Sequence, residues 1–138
     1  MKRVTTDTNI LISATFWHGT SAKIIQRVEN KEIILVLSPS ILEEYREVLA
    51  SDEIQAKIKN KNLEMALSFQ KICGLAEIIN PISIVAVVDD DPDDNKILEC
   101  AIDGKVDYII TNDKHLLVFK EHQSIKIMTP EEFLTKLD

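Results

Sequence analysis

Only three glycines and four prolines occur among 138 residues, too few for the Gly- or Pro-rich linkers that separate domains. No internal repeat or low-complexity tract interrupts the chain, so residues 1–138 read as a single domain of ordinary size. Cysteine is scarce too. Cys73 and Cys100 are far apart, each in a stretch of helical pattern, and read as small buried apolar residues, with a disulfide or metal pair as the alternative. That usage suits a reducing cytoplasm. No apolar run reaches the roughly 18 residues of a transmembrane helix. The opening Met1-Lys2-Arg3-Val4-Thr5-Thr6-Asp7 turns polar too soon for a signal peptide. A cytoplasmic location without membrane attachment is expected. The three histidines, His18, His115 and His122, follow no triad or zinc spacing, which excludes a triad hydrolase and a zinc site. Positive charge is short as well: 16 Lys and Arg against 23 Asp and Glu, net −7. That balance argues against a broad basic face gripping nucleic acid. Lys57, Lys59 and Lys61, in the polar segment Ser51–Lys61, gather some positive charge and are expected at an edge of the fold.

What the chain does have is an apolar share of 45%, enough for a real core, and a regular alternation of elements. Strands are expected at Arg3–Thr6, Ile33–Leu37, Ala76–Ile79, Tyr108–Thr111 and Ile125–Met128. Helices are expected to start near Asn9, Ser21, Pro39, Asn62 and Asp93, with a last one after Thr129. Ser38-Pro39 opens one helix, and Thr129-Pro130-Glu131-Glu132 carries a capping-box pattern with proline at the first helical position. Alternation of this kind predicts an α/β fold with a parallel sheet covered by helices on both faces.

Four acids occupy positions that solubility does not explain. In parallel α/β sheets ligands bind beyond the carboxyl ends of the strands, and Asp7 and Asp113 each follow such an end. Helical phase supplies the other two. At about 100° per residue, Ile41, Leu42, Tyr45, Val48 and Leu49 share one side of their helix; Glu43 and Glu47 lie opposite, and Glu44 falls at the margin beside Val48. In Asp89-Asp90-Asp91-Pro92-Asp93-Asp94-Asn95, Asp94 falls on the line of Ile97, Leu98, Ala101 and Ile102, while Asp93 lies to the side. A carboxylate on such a line is either a capped or lysine-paired group or a ligand of a cation. Four carboxylates around one point suit a hard divalent cation such as Mg²⁺, and with it phosphodiester hydrolysis by metal-activated water. Asn9 and Thr111 are placed to hydrogen-bond these acids or a ligand water.

These residues also carry a resemblance. Asp7-Thr8-Asn9-Ile10-Leu11 resembles the opening motif of PIN domains. Ser38-Pro39-Ser40-Ile41-Leu42-Glu43-Glu44-Tyr45 resembles the second acidic motif, with Glu44 as its acid. Asp91-Pro92-Asp93-Asp94-Asn95-Lys96-Ile97-Leu98 resembles the third, with Asp94 at the catalytic position. Val106-Asp107-Tyr108-Ile109-Ile110-Thr111-Asn112-Asp113 resembles the fourth, ending on Asp113. Each motif is short, but four in order span nearly the whole chain. The resemblance implies a three-layer α/β/α sandwich with a five-stranded parallel sheet. It also implies Mg²⁺- or Mn²⁺-dependent ribonuclease activity on single-stranded RNA, with Asp7, Glu44, Asp94 and Asp113 as catalytic metal ligands. Small stand-alone members resemble the toxin half of toxin–antitoxin pairs, so an antitoxin partner and a homodimer are implied as well. The rival within the same fold is a non-catalytic module binding nucleic acid or protein. A haloacid dehalogenase-like phosphatase would need an acid where Asn9 stands and a Ser or Thr where Leu11 stands. A receiver domain would need its acid pair at the end of the first strand, not at Asp89–Asp94.

Overall fold

A computed structural model describes residues 1–16, 19–56, 61–82 and 92–138, with the side chains of 61–65 and 92–94 left aside. Its elements run β1 (Lys2–Thr6), α1 (Thr8–Phe16), α2 (Thr20–Glu29), β2 (Ile33–Leu37), α3 (Pro39–Leu49), α4 (Asp52–Gln55) and α5 (Lys61–Leu75). The chain continues with β3 (Glu77–Ile78), α6 (Pro92–Asp103), β4 (Tyr108–Ile110), α7 (Lys114–Leu117), β5 (Glu121–His122), β6 (Ile125–Met128) and α8 (Pro130–Leu137). Among the described residues no helix is long and apolar enough to cross a membrane.

The sheet order is β3-β2-β1-β4-β6-β5. Strands β3, β2, β1, β4 and β6 pair in parallel, as the alternation predicts. Side chains alternate between the two faces of a strand, and register assigns the layers. Thr5 pairs with Ile109, and the Thr5 hydroxyl meets Cys100 Sγ of α6 at 3.7 Å, so α6 covers that face. Val4 pairs with Tyr108, whose ring packs edge-on against Phe133 of α8 at 5.3 Å, so α8 covers the other. The core between them is continuous, with Val4, Leu35, Leu98, Ile109 and Phe133 all buried. Local signals set the helix starts. The Ser38 hydroxyl accepts from the Ile41 N–H at 3.3 Å ahead of Pro39, and Thr129 and Glu132 form the reciprocal capping box ahead of Pro130. Cys100 is fully buried and its thiol is pushed up to about 11 by burial, while Cys73 is only half-buried; neither forms a disulfide.

The sheet departs from the five parallel strands of the resemblance by a sixth. β5 is a two-residue strand antiparallel to β6, with Glu121 opposite Lys126 and His122 opposite Ile125. Gln123 and Ser124 join the two at φ 49° and 69°, the pair of positive angles that a tight two-residue hairpin turn of type I′ requires. Asn-Gly is the usual signature of such a turn; Gln-Ser hides it, and the strand with it. Of the segment Ser51–Lys61, residues Asp52–Gln55 form the short helix α4, and residues 57–60 lie outside the described residues.

A left-handed conformation costs a residue with a Cβ on the order of 1 kcal/mol. Replacing Gln123-Ser124 by Asn-Gly should therefore stabilise the fold by about 1 kcal/mol, read from the urea midpoint. An unchanged or lower midpoint would show that the turn is not strained.

Candidate active site

Register brings the first two acids together. The β1–β4 ladder ends on Thr6 opposite Ile110, and the next residues on the two strands are Asp7 and Thr111. On the other side of β4 the pairing with β6 carries on into Thr111, whose N–H donates to the Met128 carbonyl at 3.0 Å. The Thr111 hydroxyl then donates to Asp7 Oδ2 and accepts from the Asp113 N–H at 2.9 Å. One buried hydroxyl thus holds an acid from β1 in register with the backbone of a second acid after β4. Asp7 Oδ1 accepts from the Ile10 N–H at 3.0 Å, the bond that caps α1. Asp113 caps α7, its Oδ1 accepting from the His115 N–H at 2.8 Å, with the His115 ring nitrogen at 3.6 Å.

Asp7 is a buried carboxylate, 7% exposed. Burial raises its pKa above the ordinary value, and the neighbouring charge of Asp113 adds to the rise. The Thr111 hydroxyl and the N–H groups of Ile10 and Asn9 pull the other way without cancelling it. Asn9 therefore acts on Asp7 through its backbone; its side chain is exposed. The hydroxyls of Thr6 and Thr8 beside Asp7 are buried and without a hydrogen-bond partner among the described residues. The sequence does show both as polar residues flanking an acid, but only the structure shows their burial.

Glu44 lies in the middle of α3, with the phase expected of it. Ile41, Tyr45 and Leu49 are buried, Glu43 and Glu47 are exposed, and Glu44 is half-buried between them. It lines an open cleft with Pro39, Ser40, Glu43, Glu47 and Lys96. Lys96 belongs to α6, two residues after Asp94, so this cleft joins the α3 acid to the first turns of α6. The backbone of Asp94 is in the first turn of α6, and Ile97, Leu98 and Ala101 are buried. The side chains of Asp93 and Asp94, and residues Asp89–Asp91, lie outside the described residues. Among the described residues, Asp7 and Asp113 are brought together, Glu44 lines the cleft beside α6, and no cluster of three or more acids, histidines or cysteines forms a metal site.

The architecture and this edge of the sheet define a PIN-like α/β fold. Residues 3–115 match the PIN domain family, and the chain belongs to that family. The uncharacterized protein MJ1680 of Methanocaldococcus jannaschii is 31% identical, the alignment covering 99% of this chain and 92% of the relative. Two solved structures share the fold. VapBC2 from Rickettsia felis, bound to a DNA fragment from its promoter, matches with a TM-score of 0.63 at 17% identity over 91% of this chain and 96% of that one. PAE2754 from Pyrobaculum aerophilum matches with a TM-score of 0.68 at 14% identity over 99% and 89%. PIN domains are typically nucleases and commonly bind metal.

The Asp7 shift has a testable sign. An acid whose folded-state pKa is raised favours the folded state below its ordinary value, and that contribution is lost as pH rises through the raised one. Asp7→Asn removes the ionisation. In EDTA, the stability of the unsubstituted chain relative to Asp7→Asn should fall as pH rises above the ordinary aspartate value of about 4, followed by urea unfolding. A difference independent of pH would contradict the buried-acid assignment.

Proposed function

We propose that the whole chain, residues 1–138, is one PIN unit acting as a metal-dependent ribonuclease on single-stranded RNA. The observation that carries this reading is the buried Asp7 carboxylate held beside Asp113 at the carboxyl edge of a parallel sheet. The donor chemistry fits a hard cation. The described groups are carboxylate oxygens, with hydroxyls alongside and no thiolate or imidazole in the pair. Asp7, Glu44, Asp94 and Asp113 would hold Mg²⁺ or Mn²⁺. When bound, such an ion withdraws charge from a phosphoryl oxygen and makes water a stronger nucleophile.

The remaining work belongs to the chain. Thr111 aligns Asp7 with the backbone of Asp113, and the Ile10 N–H fixes the second Asp7 oxygen. Burial keeps water from screening the acid, so Asp7 meets a cation as a preorganised ligand. Likeness to a VapBC2 chain supports the further reading that this protein is the toxin half of a toxin–antitoxin pair with an antitoxin partner; a homodimer is part of the same proposal.

One observation favours the non-catalytic alternative: Asp7 and Asp113 each also cap a helix, which is a sufficient structural role. Metal-dependent turnover separates the two. Asp94→Asn should abolish Mn²⁺-dependent cleavage of single-stranded RNA while Asp93→Asn keeps most of it, and Glu44→Gln should inactivate where Glu47→Gln does not. Equal losses within either pair would show that the acids are misassigned.

Metal should also act on stability, because a cation bound by the native state alone raises the melting temperature by mass action. A hundredfold excess over Kd corresponds to about 2.7 kcal/mol. Asp94→Asn should melt higher than the unsubstituted chain in EDTA and respond less to Mn²⁺. An equal Mn²⁺ response in both, or one matched by NaCl of the same ionic strength, would remove Asp94 from the site.

A further inference from the structure

The surface that begins one residue after Asp113 differs in charge from the chain around it. Residues 114–126 hold Lys114, Lys120 and Lys126 against one acid, Glu121, a local net of +2 in a chain of net −7. Among the described residues none of these three lysines enters an ion pair, whereas Arg3, Arg27, Arg46 and Lys71 all do. Asp113 beside Lys114 and Glu121 beside Lys120 and opposite Lys126 offset part of this charge without forming an ion pair with these lysines.

Apolar groups stand exposed between these lysines. Leu116 is fully buried and fixes the inner face of α7, leaving Lys114 and His115 outside. Val118 keeps the helical conformation one turn after Lys114 and is 71% exposed, and Phe119 beside it is 36% exposed. Lys120 follows, its carbonyl accepting from the Ile127 N–H at 2.9 Å, which pins its backbone to the β6 edge of the sheet. Lysines without an ion pair among the described residues, beside the part-exposed ring of Phe119 and the exposed ring of His115, suit a single strand of nucleic acid, with phosphates on the lysines and unstacked bases on these two rings. An acidic peptide would use the lysines but would have no comparable need of the rings.

We propose that Lys114, His115, Val118, Phe119 and Lys120 form a track that carries single-stranded RNA to the Asp7–Asp113 site. This rests on the ribonuclease reading above and adds where the substrate lies. It also places the substrate's positive contacts on the α7–β5 side of the molecule rather than at Lys57, Lys59 and Lys61.

Binding of a fluorescently labelled oligouridine, followed by anisotropy in Mn²⁺ on an Asp94→Asn background, tests it. Lys114→Gln with Lys120→Gln should weaken binding about tenfold and lower the slope of log K against log salt by about 1.4, or 0.7 per phosphate contact. Lys31→Gln with Lys105→Gln, which removes two exposed lysines at the opposite edge of the sheet, should change Kd by less than about twofold. Phe119→Ala should weaken binding about fivefold at every salt concentration, and Phe119→Tyr should retain it.

Equal losses in the two lysine pairs would reduce the effect to overall charge and overturn the track. Poly-glutamate binding that depends on Lys114 and Lys120, with RNA binding unaffected by them, would make the surface a protein-docking face and overturn it too. If the unsubstituted chain cuts RNA while every track variant binds normally, the track fails and the ribonuclease reading stands. If that chain neither binds nor cuts RNA, both fail.

Discussion

A single hydroxyl–carboxylate hydrogen bond, from Thr111 to Asp7, joins the two central strands of this fold at the edge where its candidate chemistry lies. Its existence depends on register. Thr6 lies opposite Ile110, so the residues that follow stand level; a slip of one residue would turn Thr111 to the other face of the sheet. The bond in turn depends on burial, because a carboxylate so withdrawn from water must be satisfied by donors. Ile10 and Thr111 supply them, and the same donors leave Asp7 rigid. Capping of α1 and alignment with Asp113 are consequences of one arrangement.

That arrangement leaves the acid in tension with its surroundings. Burial and the neighbouring Asp113 both disfavour the charged form of Asp7, and the hydrogen bonds compensate only in part. Groups shifted in this way concentrate at functional sites, although structural networks shift them too. The buried hydroxyls of Thr6 and Thr8 beside it, without a partner among the described residues, point the same way, since a buried polar atom without a partner is uncommon in a settled core. A divalent cation would relieve the repulsion between the acids.

Much of the frame was legible in the sequence because it rests on local rules. Alternating β and helical patterns placed the five parallel strands and the principal helices, and Ser38-Pro39 and Thr129–Glu132 marked two helix starts that the structure realises by the expected bonds. The phase of α3, with Glu44 between the buried Tyr45 and the exposed Glu43 and Glu47, follows from 3.6-residue periodicity alone. What escaped depends on backbone angles or on tertiary contact. β5 was hidden because Gln123-Ser124 lacks the glycine or asparagine that usually marks its turn. The exposed track beside Asp113 was hidden because Val118 and Phe119 read as ordinary apolar residues until the fold leaves them outside. For Asn9, the sequence could not show that its backbone rather than its side chain would serve Asp7.

The central claim is that Asp7 and Asp113 belong to one divalent-cation site. Crystals soaked in Mn²⁺ and measured for anomalous scattering test it most directly. The account predicts a peak at inner-sphere distance, about 2.0–2.6 Å, from oxygens of both Asp7 and Asp113, and its loss in crystals of Asp7→Asn. Well-ordered crystals with manganese bound elsewhere and no peak between these two acids would contradict it.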